Sequence, residues 1–572
     1  MSDEMMIEKK NCRLCSEDFV ITDKDLEFLD KISPVFAGER FNITLPTLCP
    51  RCREQRRLSF RNERNIYRRK CDLTGKDILS NYSPDKPYRV FEYKDWWSDK
   101  WDAMDYGDSF DFKKTFFEQF SELSLKVPKY SLYNIDTENS DYSNYTIHSR
   151  NNYLVFGAME SENGYFSSNM IRSKDSLDCN YLFDSELCYE CSNVENSHNC
   201  FFGQESVKCN ECYFMCDCRN CDYCIGCWNL DGKKYHILNK PVSMEEFNIM
   251  KNKIFSSYSD LMDFKEKYGN ILKNQAIHRS NHGFNNENIE GDYIYNSKNI
   301  QNSFIVYDSE NVRNSTRFAN QTNSSDIYGC FEGYNLYDSI SCDFGSNMRF
   351  SKDSEKCKQS FYLDICDNSS NLFGCIGLRN SQYCILNKQY TKEQYEQLVP
   401  KIIEHMRTTG EWGEFFPSSI SPFGYNETVA MEYYPISSRD AINRIATDGK
   451  PIFSWSTYEN PIPIVSKTIP AEKLPNNISE VPDDILNWAI LCEITQKPFR
   501  IIKQELEFYR KYSLPIPRRH PDVRHMDRMK LRNPRKLFER SCDKCNKEIK
   551  TTYSLERPEI VYCEDCYNKE II

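Results

Sequence analysis

Cys12, Cys15, Cys49 and Cys52 stand as CxxC…CxxC in the first fifty-odd residues, and Cys542, Cys545, Cys563 and Cys566 repeat the pattern near the other end. A CxxC pair forms a tight knuckle that presents two thiolates together. Two knuckles supply the four soft ligands of tetrahedral zinc, so about two ions per chain are expected. Four cysteines fill the coordination sphere and leave no position for water or substrate. The expected role is therefore structural rather than catalytic.

Arginine follows these cysteines in a regular pattern. Arg53, Arg57 and Arg61 are spaced i, i+4, i+8, and Arg524, Arg528 and Arg532 repeat the spacing. On helices, each trio occupies one face. Guanidinium binds phosphate bidentately and stays charged, so paired arginine stripes predict contact with nucleic acid or a ribonucleoprotein. The competing expectation is that they pair with acids elsewhere in the chain. Nine Arg/Lys fall between positions 51 and 70 against Glu54 and Glu63, and thirteen between 500 and 540 against five acids. The whole chain is nevertheless at -11, so these are basic islands in an acidic protein. Nearby His520 and His525 have no accompanying carboxylate–histidine metal pattern and read as surface histidines.

The two ends align without gaps over long runs. CRLCSEDFVITDKDLEFLDKIS matches CEITQKPFRIIKQELEFYRKYS, and CDLTGKDILSNYSPDKPYRVFEYKDW matches CDKCNKEIKTTYSLERPEIVYCEDCY. Each copy has two candidate metal positions and keeps a different one. Cys492, Thr495, His520 and Val523 replace the first quartet, while Cys71, Thr74, Glu92 and Asp95 replace the second. The Cys71–Trp96 stretch thus reads as a ribbon whose fold has outlived its metal. A helix opening directly after Cys52 gives a treble-clef-like arrangement.

Between these modules the chain repeats short units rich in Asn, Ser and Asp that end in an aromatic. From Tyr293 to Tyr383 the aromatics average about eleven residues apart, which predicts a stacked repeat. Short strands between turn residues indicate a parallel β-solenoid. The region 133–238 has the same texture. Both stretches leave through ILNK into charged helices near 243–268 and 391–407, which read as caps, so the solenoid is duplicated. Eleven cysteines crowd 179–227. Cys188, Cys191, Cys209, Cys212, Cys221, Cys224 and Cys227 make a further candidate metal set. Against it stand Cys330, Cys342, Cys357, Cys366, Cys375 and Cys384, singletons spaced as one buried thiol per rung would be.

The 572 residues bound the rest. Aromatic content of 14% supplies packing despite a mean hydropathy of -0.70. No apolar run reaches the ~20 residues of a membrane span, and MSDEMMIEKKNC has no signal-peptide core. Together with thiol pairs these features predict a reducing cytoplasm and no membrane partner. No phosphate loop, nucleophile elbow or dinucleotide fingerprint occurs. The acids Asp184, Glu186, Glu190 and Glu195 would suit a carbohydrate-active β-helix enzyme only by analogy of fold.

The run LEFYRKYSLPIPRRHPDVRHMDRMKLRNPRKLFERSCDKC, with SPDKPYRVFEYKDWW and GEFFPSSISPFGYNETVA, resembles a family of uncharacterised cysteine-rich zinc-ribbon proteins of candidate phyla radiation bacteria. The resemblance covers nearly the whole chain, implies zinc binding and supplies no mechanism. The expected architecture is mainly β, a duplicated parallel β-solenoid flanked by two homologous treble-clef/zinc-ribbon modules with short helices. Its predicted parts are a zinc module (1–98), a helical connector (99–132), two solenoid halves with capping helices (133–270 and 271–408), an irregular connector (409–490) and a second zinc module (491–572). DDILNWAILCEI is expected as a helix leading into that last module, and the aromatic run after 410 as a strap across other elements. The leading functional expectation is a non-catalytic nucleic-acid binder, the alternative a protein–protein scaffold using the solenoid face.

Overall fold

A computed structural model describes residues 4–329, 337–340, 346–446, 449–461 and 465–571. The chain divides into two compact units, each built from two separate stretches: Met1–Leu132 with Asn281–Tyr458, and Tyr133–Ser280 with Glu459–Ile572. The N-terminal cysteine module therefore shares a unit with the second repeat region, and the C-terminal module with the first.

In the unit containing Tyr133–Ser280, short strands lie parallel in a 15-stranded sheet. Their register advances by twelve residues: Ser168 opposes Asn180, Asn180 opposes Ser192, and Ser192 opposes Gln204. The backbone turns left-handed every third residue over long runs, as at Asn163, Phe166, Asn169, Arg172 and Asp175, all with φ between 45 and 54°. That conformation costs an ordinary residue about 1–2 kcal/mol, and Asn and Asp tolerate it best, which explains their abundance here.

The residue after nearly every such turn is buried, and many are small: Ser167, Ser173, Cys179, Ser185, Cys191 and Ser197. These side chains bind the ladder backbone. Ser173 Oγ donates to the Ile171 carbonyl at 2.9 Å and accepts from the Ser185 N–H at 3.1 Å. Cys191 Sγ makes the same pair of bonds with Tyr189 (3.5 Å) and Gly203 (3.4 Å). Serine and cysteine are thus interchangeable fillings for one kind of site. Accordingly, Cys191→Ser should change stability by less than about 1 kcal/mol, whereas Cys191→Leu should cost about 1–3 kcal/mol by overpacking. Thermal unfolding of the two variants checks this.

The second ladder, beginning at Gly283–Phe284, has the same construction. Its first rungs are offset by eleven residues and shift by one between Ile289 and Gly291, after which twelve holds. The expected eleven-residue spacing is corrected accordingly: it averaged aromatics that occupy different sides of a twelve-residue repeat. Cys330 and Cys342 lie outside the described residues, while Cys357, Cys366, Cys375 and Cys384 are all buried.

Both ladders end in the same device. ILNK forms a tight antiparallel turn with Leu238–Asn239 and Leu386–Asn387 left-handed, the signature of a type I′ hairpin. The Asn239 amide bonds both the N–H and C=O of Trp228, and the Asn387 amide bonds both of Ile376. A side chain thereby satisfies backbone groups that an open sheet edge would expose. Helices Met244–Phe255, Tyr258–Gln275 and Lys392–Thr409 follow, two of them opened by capping boxes at Ser243 and Thr391.

The stretch after 410 packs inside the first unit, with Trp412 stacked on Phe373 and Phe416 against Phe120. DDILNWAILCEI departs from its expected helix: Asp483–Asn487 is a single 3-10 turn, and Trp488–Leu491 is a strand between Lys467–Pro470 and Pro498–Phe499. Its apolar residues answer neighbours in a sheet, which local periodicity does not reveal. Among the described residues no helix is long and apolar enough to cross a membrane.

Candidate metal centres and the arginine-bearing helices

Four knuckles share one turn. Cys12, Cys71, Cys492 and Cys542 each receive a backbone bond from the residue four positions on, at 2.9, 2.8, 3.0 and 2.9 Å, and each donates to the carbonyl five positions on. Ser16, Gly75, Gln496 and Asn546 are left-handed at the same point of each turn. Only the first and last of these knuckles belong to complete quartets.

In each quartet all four Sγ atoms lie within 4.8 Å of one another. Cys15 and Cys49 are 3.7 Å apart, as are Cys545 and Cys563. A Zn–S bond of about 2.3 Å gives a tetrahedron edge of about 3.8 Å, so both sets fit a zinc-sized tetrahedral ion. The Cys52 thiol, by hydrogen bonding, pulls Cys49 down to about 5. Burial opposes ionisation of Cys542, but backbone N–H groups of Cys563, Cys545 and Lys544 bring it down to about 6. Both second knuckles open helices: Cys49 caps Pro50–Leu58, with Pro50 at its first position, and Cys563 immediately precedes Glu564–Ile571.

The Cys71 knuckle shows how a ribbon stands without its metal. Cys71 Sγ accepts the Glu92 N–H at 3.4 Å, just as Cys542 Sγ accepts that of Cys563 and Cys12 Sγ that of Cys49, both at 3.3 Å. Asp72 binds the Val90 N–H at 2.7 Å, as Asp543 binds that of Val561. Trp96, fully buried against Trp97, Trp101 and Tyr130, stands where the C-terminal ribbon has the equally buried Tyr567, so this packing does not depend on the ligands. Cys492, Thr495, His520 and Val523 form no such cluster. His520 instead caps Pro521–Met529 by accepting the Asp522 N–H, and His525 is buried rather than on the surface.

The arginines depart from their expected exposure. Arg53, Arg57 and Arg61 are 4, 0 and 5% exposed, and Arg524 and Arg528 are 3 and 2%. Arg53 forks onto Asp326 at 2.8 and 2.9 Å, and Arg57 bridges Asp326 and Asp338 at 2.9 and 2.6 Å. Arg56, absent from the sequence-based set, joins Asp338 to Glu414 at 2.5 and 2.7 Å. Arg61 pairs with Glu63 at 2.5 Å and lies over Tyr328.

The other unit repeats the clamp. Arg524 and Arg528 both hold Asp178, the latter at 2.9 Å, while Arg532 lies 3.6 Å over the Tyr181 ring. Asp326 and Asp178 are fully buried and occupy left-handed ladder positions. Burial opposes ionisation of Asp326, but Arg53 and Arg57 outweigh it and hold the carboxyl below its usual range. At Asp178 burial, aided by Glu190, prevails over the two arginines and raises it. Sequence reading missed these aspartates because many ladder turns carry Asn or Asp whether or not an arginine docks there.

The candidate set at Cys188, Cys191, Cys209, Cys212, Cys221, Cys224 and Cys227 is buried, and Cys188 stacks on Cys200 and Cys200 on Cys212, rung by rung. Among the described residues, the two terminal quartets are the groups of three or more ligands compact enough for a metal. The acids considered for sugar chemistry are largely paired with cations: Asp184 with Arg172, Glu186 with Lys174, and Glu190 with Lys265, at 2.6, 3.3 and 2.6 Å. In comparison with known proteins, no family model matches the chain and no curated protein matches it.

Proposed function

We propose that the protein is a non-catalytic, zinc-bound scaffold that presents the outer faces of two β-solenoids to protein partners in a reducing compartment. The observation that carries this reading is the burial of Arg53, Arg57, Arg524 and Arg528 on Asp326, Asp338 and Asp178. Guanidinium groups committed to internal carboxylates are not offered to phosphate, so the leading sequence expectation of a nucleic-acid grip gives way to its alternative. The matching knuckles and clamps support descent of both units from one duplicated module-plus-solenoid pair. Zinc is the ion the all-thiolate tetrahedra favour, at two per chain.

Titration of the zinc-loaded chain with RNA and DNA duplexes and single strands tests the reading. Weak binding, with a slope of log affinity on log salt of about one or less, is expected. A slope of several units would return the nucleic-acid reading and displace the scaffold.

A further inference from the structure

Along one edge of the ladder in the first unit, Asn288, Asn299, Asn311 and Asn323 stand one above another. Each side-chain N–H donates to the next side-chain carbonyl, at 2.9, 2.9 and 3.2 Å. A primary amide has two N–H donors and two acceptor lone pairs. The stack uses one of each between neighbours, so every rung keeps a second N–H and lone pair to offer. Other amide stacks, such as Asn285–Asn296–Asp308, share this geometry. The Asn288–Asn323 stack additionally forms one wall of a cleft of about 420 Å³ whose other wall is the Asp23–Ile32 helix, with Phe28 half-buried in it. That volume lies within the range of ligand sites. The charges around it are largely compensated: Lys24 pairs with Glu27 at 2.9 Å, and Arg313 with Glu4 and, at 3.3 Å, with Asp25.

We propose that this cleft binds an extended, uncharged oligosaccharide, with successive asparagines bonding the hydroxyls of successive sugars and one sugar face lying on Phe28. A hydroxyl both donates and accepts, matching the mixed amide edge of every rung. Ladder rungs are about 4.8 Å apart, close to the advance per residue of a β-linked hexose chain. An extended peptide repeats every second residue, about 6.6 Å, and falls out of register within two rungs. A polyanion finds little net positive field in a cleft where Lys24, Lys31 and Arg313 are balanced by Glu4, Asp25 and Glu27. The C–H face of a pyranose suits an aromatic ring with one side toward a polar cleft. The inference stands on this stack and cleft and does not require the scaffold reading.

Isothermal titration of the full zinc-loaded chain with β-1,4-linked glucose and N-acetylglucosamine oligomers of two to six units tests it. At least one series should bind about tenfold more tightly as tetramer than as dimer, with affinity unchanged by salt. Asn299→Ala combined with Asn311→Ala should weaken binding about tenfold or more. Phe28→Ala, on the opposite wall, should do the same, and zinc content together with a thermal unfolding transition equal to wild type shows that both variants fold. Absence of binding in both series, affinity independent of length, or wild-type affinity in both folded variants overturns the proposal. So does tighter binding of a sulfated glycan or an extended peptide than of either neutral series.

Discussion

Chelating the metal from the full chain is expected to unfold the first cysteine knuckles of the N-terminal module and the ribbon of the C-terminal one, while both parallel ladders persist. The core around the first quartet consists of Cys12, Phe19, Ile21, Cys49 and Cys52, so three of its five buried members are ligands. Without the ion, little apolar surface remains to offset chain entropy. Binding at such sites contributes apparent free energies of about 10–16 kcal/mol near neutral pH, more than a small module has in reserve. The ladders need no ion, because Ser and Cys side chains satisfy the backbone inside them. Metal analysis should find two ions per chain, with one left in Cys545→Ser. Hydrogen exchange after chelation should show Cys12–Thr22 and Cys542–Tyr567 losing protection, with the clamped Pro50–Leu58 helix and Tyr67–Ser80 retaining much of their own. Four ions per chain would mean that the stacked ladder cysteines or a degenerate site also ligate, and in the first case the Ser–Cys equivalence would fail.

Removing the carboxylate at the centre of a clamp should have the next largest effect. Asp326→Ala leaves Arg53 and Arg57 buried without their shared counter-charge, and breaking one partner of a buried pair costs about 3–5 kcal/mol. Reversing Arg53 and Arg57 to Glu should cost at least as much, since the two new carboxylates would crowd a dry site with Asp326 and Asp338. Arg51→Ala, on the exposed side of the same helix, should change stability by less than about 0.5 kcal/mol. Denaturant titration of the three variants, with hydrogen exchange across Pro50–Leu58, checks the order. Equal stability of Asp326→Ala and Arg51→Ala would remove the clamp from the account.

Acid should act in the same place. Burial opposes ionisation of Glu63, but Arg61 and Arg317 outweigh it and hold it down to about 2. Its folded pKa lies below its unfolded value, so its stabilisation is complete at neutral pH. That stabilisation is lost as pH falls from about 4 through about 2.

Two features of this protein were determined by sequence alone: the complete metal quartets and the texture of the middle. CxxC spacing is local chemistry, because a knuckle closes within five residues and needs no distant partner to be recognised. The turn-rich repeat is legible for a similar reason, since left-handed positions enrich Asn and Asp wherever they fall. The ILNK turns and capping boxes belong to the same class. Only tertiary structure decided which way the arginines face. Arg53 and Arg57 share a helix side in sequence whether that side meets solvent, phosphate or an aspartate 273 residues away. It also decided that the N-terminal module joins the second ladder, and that WAIL is a strand. Burial of a charge depends on a counter-charge brought from elsewhere in the chain, and neither spacing nor composition records where that counter-charge will come from.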